Sequence, residues 1–229
     1  MHGHFTWFDL FKVPQEQIAV AAAVFATVVI ILLSIVARLA LGTGEAAIQP
    51  SGHLSVKGAF EAFTEFIDAL IEMVLGRAGR VYVPLFGAIF FYIFFNNILG
   101  LLPGMTAATS DINAAFAVGL FSFVAYNVIG LSHSGLAYFK HFMGPVWWMA
   151  WIILPIELVS NFIRPLSLGL RLSVNMSADH TILGTFTDLT KLVIPVIFYG
   201  MGTFVSFVQA LVFTMLSMVY VMMATADDH

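Results

Sequence analysis

The chain of 229 residues contains several stretches of about 20 or more residues without a charged side chain. At a rise of 1.5 Å per residue, about 20 residues of α-helix cross the hydrocarbon layer of a membrane, which is about 30 Å thick. Only 10% of the residues are charged, whereas an average soluble domain has about 25%. The sequence therefore predicts an all-α polytopic membrane protein. The absence of cysteine excludes a disulfide scaffold and thiolate chemistry.

Five segments are predicted to be embedded in the membrane, and one further helix is predicted to lie on its surface. The surface segment, residues 54–78, interleaves acidic and apolar side chains at helical spacing, which is typical of amphipathic interfacial helices. The last two embedded segments are too long for a perpendicular crossing and are expected to form a tilted hairpin. Within one membrane domain, 1–229, the other boundaries are 1–17 for an outer N-terminal segment, 18–41, 81–102 and 112–132 for three spans, and 145–183 and 192–224 for the hairpin.

Basic residues between the spans and at their ends predict the orientation, because they accumulate on the cytoplasmic side of membrane proteins. One predicted side carries five of them and the other side carries two. The richer side is therefore expected to be cytoplasmic, with the N-terminus outside and the C-terminus inside. The five are Arg38, Lys57, Arg77, Arg80 and Lys140, and the two are Lys12 and Lys191.

Ionisable side chains concentrate in the fourth span, although charges at membrane depth are costly and mark function by default. At 100° per residue, six polar residues fall within about 40° on either side of Glu157. They form one predicted polar stripe: Glu157, Asn161, Arg164, Arg171, Asn175 and Asp179. The small residues Ser167, Gly169 and Ser173 are expected to let another helix approach this span closely.

Arg171 is the most constraining residue of the stripe, because a guanidinium stays charged in a protein and needs an anion or water nearby. On a straight helix Glu157 lies about 21 Å from it along the axis, and Asp179 lies about 12 Å away. Neither acid can be its direct partner. The partner of Arg171 is therefore expected to come from another chain or from a hydrated cavity.

The last span is nearly uncharged, but Gln209 lies deep within it. Its amide needs a hydrogen-bond partner, which the polar stripe of the preceding span is expected to supply. Gly200 and Gly202 are expected to leave space for this contact. Tyr199 and Ser206 are further polar candidates on the same segment, and Asn96 and Asn97 on the second span are expected to make helix-packing hydrogen bonds.

Residue chemistry alone leaves alternatives open. Arg164 can be read as snorkelling to the interface, Glu157 and Asp179 as solvated end-of-helix acids, and His180 as an interfacial hydrogen-bonding group. By function, a self-contained ion channel or secondary transporter is the main rival, and it predicts internal repeats that the sequence lacks. A haem-carrying membrane anchor needs paired histidines on facing helices, and an intramembrane hydrolase needs a catalytic pair at one depth. The sequence shows neither pattern. The residues by themselves support an ion-conducting membrane protein.

Four segments carry a resemblance to a known family. The sequences PLSLGLRLSVNMSADH and, further along, VQALVFTMLSMVYVMMA resemble the last two spans of subunit a of the F-type ATP synthase, and the upstream FFNNILGLLPG and TSDINAAF resemble that family's second and third spans in the same order. The resemblance implies a proton-translocating stator subunit with two offset aqueous half-channels beside a rotating c-subunit ring. It implies no ATP chemistry and no cofactor on this chain.

The resemblance also implies roles for individual residues. Arg171 would contact the ring carboxylate and prevent a proton short circuit. Glu157 would line the cytoplasmic half-channel, and the outer half-channel would be lined by Asn175, Asp179, His180, Gln209 and Asp111. Arg164, Tyr199 and Ser206 are auxiliary candidates for proton translocation.

The implied partners are the c-subunit ring, the b-subunit stator stalk, the rest of the synthase, membrane lipids and protons, and no nucleic acid. A bacterial inner membrane is the expected location. One departure from the family concerns the outer path: members often have a carboxylate where this chain has His180 and an ionisable group where it has Gly202. The outer proton acceptor is therefore expected to be Asp179 or His180.

Overall fold

The computed structural model describes residues 7, 13–14, 17–41, 55–135, 150–189 and 193–225. Within these ranges the chain forms six α-helices and two short 3-10 turns. Five of the helices are long and apolar enough to cross a membrane, which confirms the prediction of an all-α polytopic membrane protein. The helices are α1 (Ile18–Leu41), α2 (Val56–Leu75), α3 (Val83–Leu101), α4 (Ile112–Ser134), α5 (Ala150–Leu189) and α6 (Val193–Thr225).

The longest helix, α5, ends later than its sequence pattern predicts. It continues to Leu189, whereas the expected end of this span is residue 183. Gly184 does not end the helix, and it does not adopt the positive φ that is typical of glycines at helix ends. The Thr181 and Thr185 hydroxyls each donate to the carbonyl four residues earlier and stay within the helix. The predicted start of this span at 145, most of the outer segment 1–17, and Lys12, Lys140 and Lys191 lie outside the described residues.

Helix α2 is the predicted amphipathic helix. The Ser55 side chain accepts a hydrogen bond from the Gly58 amide at its start, and Gly76 ends it at a φ of 70°. Ile67 and Ile71 on one face are completely buried. The other face carries ion pairs, including one of 3.1 Å between Arg80 and Asp68. The helix therefore buries its apolar face against the bundle and keeps its charged face outward.

Phenylalanine rings fill the space between α2, α3 and α6. Phe66 of α2 and Phe90 of α3 each lie about one ring diameter from Phe207 of α6, with centroid separations of 6.1 Å and 5.7 Å. Phe63 contacts Phe90 with a separation of 5.4 Å. Tilted and edge-on ring pairs at such distances are favourable. This cluster packs α6 against α2 and α3.

Helices α4 and α5 cross at two glycines. A Cβ atom added to Gly119 would lie 2.6 Å from the Pro165 carbonyl oxygen, and one added to Gly169 would lie 2.9 Å from Phe116. No side chain fits at either position without movement. The expectation that Gly169 permits close approach of another helix is met, and Ser173 also contacts a neighbouring segment. Ser167, in contrast, bonds the Arg164 carbonyl of its own helix, and within the described ranges it has no hydrogen bond to a neighbouring segment.

Helices α5 and α6 run antiparallel as the predicted hairpin. Three side-chain contacts follow one another at intervals of eleven residues on both helices: Arg164 with Tyr220, Asn175 with Gln209, and Phe186 with Phe198. Eleven residues are about three helical turns, so the same faces stay together along about 33 Å. This register decides which polar side chains of the two helices meet.

Candidate functional site

Arg171 lies on the exposed side of α5, near the middle of a span of 36 residues. Within the ranges that the structure describes, its guanidinium forms no hydrogen bond and no ion pair. A fixed charge at membrane depth needs an anion or water to compensate for the loss of hydration. The chain thus presents an uncompensated cation on its outer face, as the distances to Glu157 and Asp179 predict.

Arg164, two turns earlier on the same helix, is compensated by its own chain. Its guanidinium lies 3.9 Å from a carboxylate oxygen of Glu157. It also lies 5.4 Å from the ring centroid of Tyr220 on α6, in the range of a cation–π interaction. Glu157 and Arg164 therefore form one weakly linked pair, and the two arginines of α5 have different surroundings.

Gln209 finds its partner on the polar stripe. The Asn175 side-chain amide donates to the Gln209 side-chain oxygen over 3.1 Å. Gln209 is 4% exposed, whereas Asn175 is exposed. Asn175 lies one turn beyond Arg171. Its hydrogen bond to Gln209 connects the exposed side of α5 with the α5–α6 interface. The predicted link between the stripe and Gln209 is confirmed.

Asn161 turns inward to α4. Its side-chain oxygen accepts a short hydrogen bond from the Tyr126 hydroxyl. The same hydroxyl lies 3.4 Å from the Asn161 backbone oxygen, which is the carbonyl that Pro165 leaves without its helical donor. The local break that proline causes is therefore filled by a side chain of the neighbouring helix.

Asp179 and His180 lie near the far end of α5 with partly buried side chains. One carboxylate oxygen of Asp179 and the Nε2 atom of His180 are buried without a hydrogen-bond partner in the described part of the chain. The Ser206 hydroxyl and the Gln209 amide nitrogen share this property. Buried polar atoms normally have partners, often ordered water. These four atoms mark a polar interior in the half of the bundle beyond Arg171.

Asp111 is the N-cap residue of α4. Its carboxylate accepts hydrogen bonds from the backbone amides of Asn113 and Ala114, at 2.8 Å and 3.3 Å, and so caps the start of α4. The preceding 3-10 turn, residues 108–110, packs against α5. Two serines of α5, Ser173 and Ser177, donate to the Ser110 carbonyl of this turn.

The polar stripe of α5 lies along the edge of the buried face of this helix. On a regular helix the buried residues of α5 centre about 80° from Glu157. Asn161 and Asp179 lie about 40° from that centre and point inward, whereas Arg171 lies about 120° away and points outward. The stripe is continuous in angle, but its members face three surroundings: α4, α6 and the exterior.

The family model of the ATP synthase A chain matches residues 20–222 of this chain. The chain belongs to the ATP synthase A chain family. Its relatives include ATP synthase subunit a of Bdellovibrio bacteriovorus, which is 48% identical over 227 residues, or 98% of this chain and 99% of the relative. ATP synthase subunit a 2 of Syntrophotalea carbinolica is 38% identical, with 85% of this chain and 84% of the relative covered.

Membership in the ATP synthase A chain family confirms the resemblance of this chain to subunit a of the F-type ATP synthase. ATP synthase subunit a of Trichlorobacter lovleyi is a further relative, 36% identical over 88% of this chain and 84% of its own length. The family connects the chain with ATP synthesis and proton transport in a membrane.

The predicted use of two glycines on α6 is wrong. Gly202 was expected to make space for the Gln209 contact, but it packs against α3, where an added Cβ would lie 2.7 Å from Leu101. Gly200 has nothing within 4 Å of an added Cβ. Residue 202 lies two turns from Gln209 and faces a different neighbour. Tyr199 lies a further turn away, and among the described residues no hydrogen bond joins its side chain to the polar stripe of α5.

Three polar contacts escaped the sequence interpretation: the Tyr126 hydroxyl, the Ser110 carbonyl and the Ser177 hydroxyl. A signal exists for the first, since Pro165 on the facing helix frees a carbonyl. For the other two the sequence holds none, because the backbone carbonyl of a turn carries no residue identity.

Proposed function

We propose that this chain is the proton-translocating stator subunit of a rotary F-type ATP synthase, and that Arg171 contacts the carboxylates of a c-subunit ring. The observation that supports this proposal is the exposed guanidinium on a membrane-spanning helix, without an ion pair in the described part of its own chain. A moving ring of acids is a partner that can compensate this charge once per step and then leave.

Arginine suits this task because it cannot release its proton at physiological pH. One elementary charge that crosses 100 mV releases about 2.3 kcal/mol. Synthesis of ATP therefore needs several protons, and none of them can be lost through a direct leak. A permanent cation between two half-channels repels protons in transit and attracts each deprotonated ring carboxylate.

The outer half-channel in this proposal follows the polar interior beyond Arg171. It includes Asn175, Gln209, Asp179 and His180, with Ser206 as an auxiliary group. Support comes from the Asn175–Gln209 hydrogen bond and from the buried polar atoms of these residues that lack protein partners. Water that satisfies those atoms would connect the outer surface with the face of α5. Asp111 lies at the outer end, at the start of α4.

The cytoplasmic half-channel is assigned to the opposite end of α5, with Glu157 on its lining. The pair of Glu157 and Arg164 supports this assignment, since a separation of 3.9 Å is at the limit of an ion pair and leaves the Glu157 carboxylate accessible to water. Tyr199, near the start of α6 and thus at the other end of the hairpin, remains an auxiliary candidate.

The proposed partners are the c-subunit ring, the b-subunit stalk and the rest of the synthase. The proposed location is a bacterial inner membrane, with the N-terminus outside and the C-terminus in the cytoplasm. The distribution of Arg38, Lys57, Arg77 and Arg80 supports this orientation. All four lie on the same predicted side of the membrane, and basic residues accumulate on the cytoplasmic side.

A self-contained ion channel or secondary transporter is the alternative. Such a protein would carry both halves of its ion path within one chain, so a mid-membrane arginine would have its counter-charge there. The unpaired state of Arg171 and its exposure favour a partner from another chain.

The deciding experiment replaces Arg171 with alanine in the assembled synthase. We expect ATP-driven proton pumping into inverted membrane vesicles to fall below detection, at least about a hundredfold, because the ring carboxylates lose their counter-charge. The amount of subunit in the complex should stay near the wild-type level. The control is Arg77→Gln, since the Arg77 side chain is 88% exposed and paired only with Glu72. Coupled pumping by Arg171→Ala at a near-normal rate would contradict the proposal.

A further inference from the structure

The 3-10 turn of residues 108–110 is a junction between four helices. Ala108 is buried against Ala22 of α1. The Thr109 hydroxyl donates to the Asn97 side-chain oxygen of α3 over 2.7 Å. The turn leads directly into α4, whose first amides are capped by Asp111. A short segment with so many fixed neighbours is a rigid point in the bundle.

Helix α5 is attached to this rigid point by two hydrogen bonds to a single atom. The Ser173 hydroxyl donates to the Ser110 carbonyl oxygen over 3.0 Å, and the Ser177 hydroxyl donates to the same oxygen over 3.1 Å. A carbonyl oxygen has two lone pairs, so both bonds can form together. Because the serines are four residues apart, they lie one above the other on one face of α5.

The two serines lie on the side of α5 that points away from Arg171. At 100° per residue, Ser173 lies about 160° and Ser177 about 120° around the helix from Arg171. They are also only two and six residues from Arg171 in sequence. Two hydrogen bonds on one side of a helix oppose rotation about its axis, so they also restrict the position of the opposite side.

We propose that residues 107–111 form a bracket that fixes the rotation of α5, and that Ser173 and Ser177 are positioning residues for Arg171. The inference rests on the proposed function, because it assigns these hydroxyls a role in presenting the guanidinium. A rotation of α5 by about 20° would move a group about 6 Å from the axis by about 2 Å. A shift of that size takes the guanidinium out of hydrogen-bonding range of a ring carboxylate.

The bracket is also tied to the segment before α1. The Trp7 indole donates to the Pro103 carbonyl over 3.0 Å, and the Trp7 amide donates to the Gly104 carbonyl over 2.9 Å. These carbonyls belong to the loop that leads from α3 to the bracket. The loop is thereby fastened to Trp7.

The test removes both serine hydroxyls in one variant and keeps a hydroxyl at residue 177 in the other. Ser177 is exposed, so threonine and valine, which have the same shape, are both accommodated there. In the whole synthase we expect Ser177→Val combined with Ser173→Ala to lower ATP-driven proton pumping about tenfold per assembled complex, since each lost hydrogen bond shifts an equilibrium about two- to tenfold. Ser177→Thr should pump at the wild-type rate. Thr185→Val is the matched control, because the Thr185 hydroxyl bonds only its own helix.

Hydrogen exchange of the solubilised complex provides a readout that does not depend on activity. The Ser110 and Asp111 amides donate to Ala107 and Ala108 inside the bracket. We expect their exchange to accelerate in the valine–alanine variant and to stay slow in Ser177→Thr and Thr185→Val.

The two measurements separate the possible failures. Wild-type pumping in the valine–alanine variant would overturn the inference, whether or not amide exchange changes. Equal losses in the threonine and valine variants would also overturn it, since the hydroxyl would then be irrelevant. Normal pumping by Arg171→Ala would contradict the proposed function itself, and in that case accelerated exchange would still report the loss of the bracket.

Discussion

Two arginines on one helix show how much the surroundings of a charge decide. Arg164 has a carboxylate at 3.9 Å and an aromatic ring at 5.4 Å. Arg171, seven residues later, has no counter-charge in the described part of the chain. A charge at the centre of a membrane costs about 2.5–3.5 kcal/mol even on insertion scales that permit snorkelling. An arginine that carries this cost at position 171 is expected only where another molecule supplies the counter-charge.

Asp179 and His180 are adjacent in sequence but lie on different flanks of the buried face of α5, about 100° apart. Each has one buried polar atom without a protein partner. Because the two atoms lie on separate flanks, each of them can bind a different water molecule. In the proposed function the two groups would offer parallel routes for a proton, since residue 202 on the last span is a glycine and not an ionisable residue.

We therefore expect Asp179→Asn and His180→Ala to be synergistic. Either change alone should slow proton entry only a fewfold, whereas the double variant should slow it by more than the product of the two single effects. Proton entry is measured as the rate of ATP synthesis driven by an imposed proton gradient, with Thr185→Val as the control. Effects that multiply independently, or no effect at all, would mean that both side chains are merely interfacial.

The α4–α5 contact determines where α5 lies in the bundle. Gly119 and Gly169 bring the two backbones together beside Pro165, and small residues are the usual means of close helix packing in membranes. The Tyr126 hydroxyl then binds Asn161, one turn before Pro165. This contact and the Ser110 contacts hold the same helix on both sides of Arg171.

The glycines offer a matched pair of substitutions. Gly119→Ala should destabilise the subunit by about 1–3 kcal/mol, because the added methyl group would overlap the Pro165 carbonyl. Gly200→Ala should cause no loss, because open space surrounds that position. The thermal unfolding of the solubilised complex measures both. Equal stability of the two variants would contradict the close crossing of α4 and α5.

The sequence predicts most of the helices because long apolar runs have few alternatives in a membrane. It also predicts the solitary state of Arg171, since axial distance alone excludes its acids. The neighbour of Gly202 could not be predicted, because one helix pattern does not state which other helix packs against it. Pro165 signals a carbonyl without its helical donor, but the sequence does not identify Tyr126 as the group that binds there. The extension of α5 to Leu189 was missed because Gly184 and the threonines resemble a loop, although their hydroxyls can bond within a helix.

The other described helices cover α5 on one side only. Helices α3, α4 and α6 pack around a shared apolar core, while one face of α5 is left exposed along its length. Large apolar side chains accompany Arg171 on that face, among them Leu170 and Val174. Such a surface fits lipid or a second membrane protein, but only a protein with an acid at the right depth compensates the arginine.

The most direct measurement is the distance between the Arg171 guanidinium and the nearest c-ring carboxylate in the assembled synthase, determined by electron cryomicroscopy. The account predicts direct contact or contact through one water molecule, within about 3–6 Å. A guanidinium that instead pairs with Glu157 or Asp179 of its own chain, or that turns to the lipid headgroups, would contradict it.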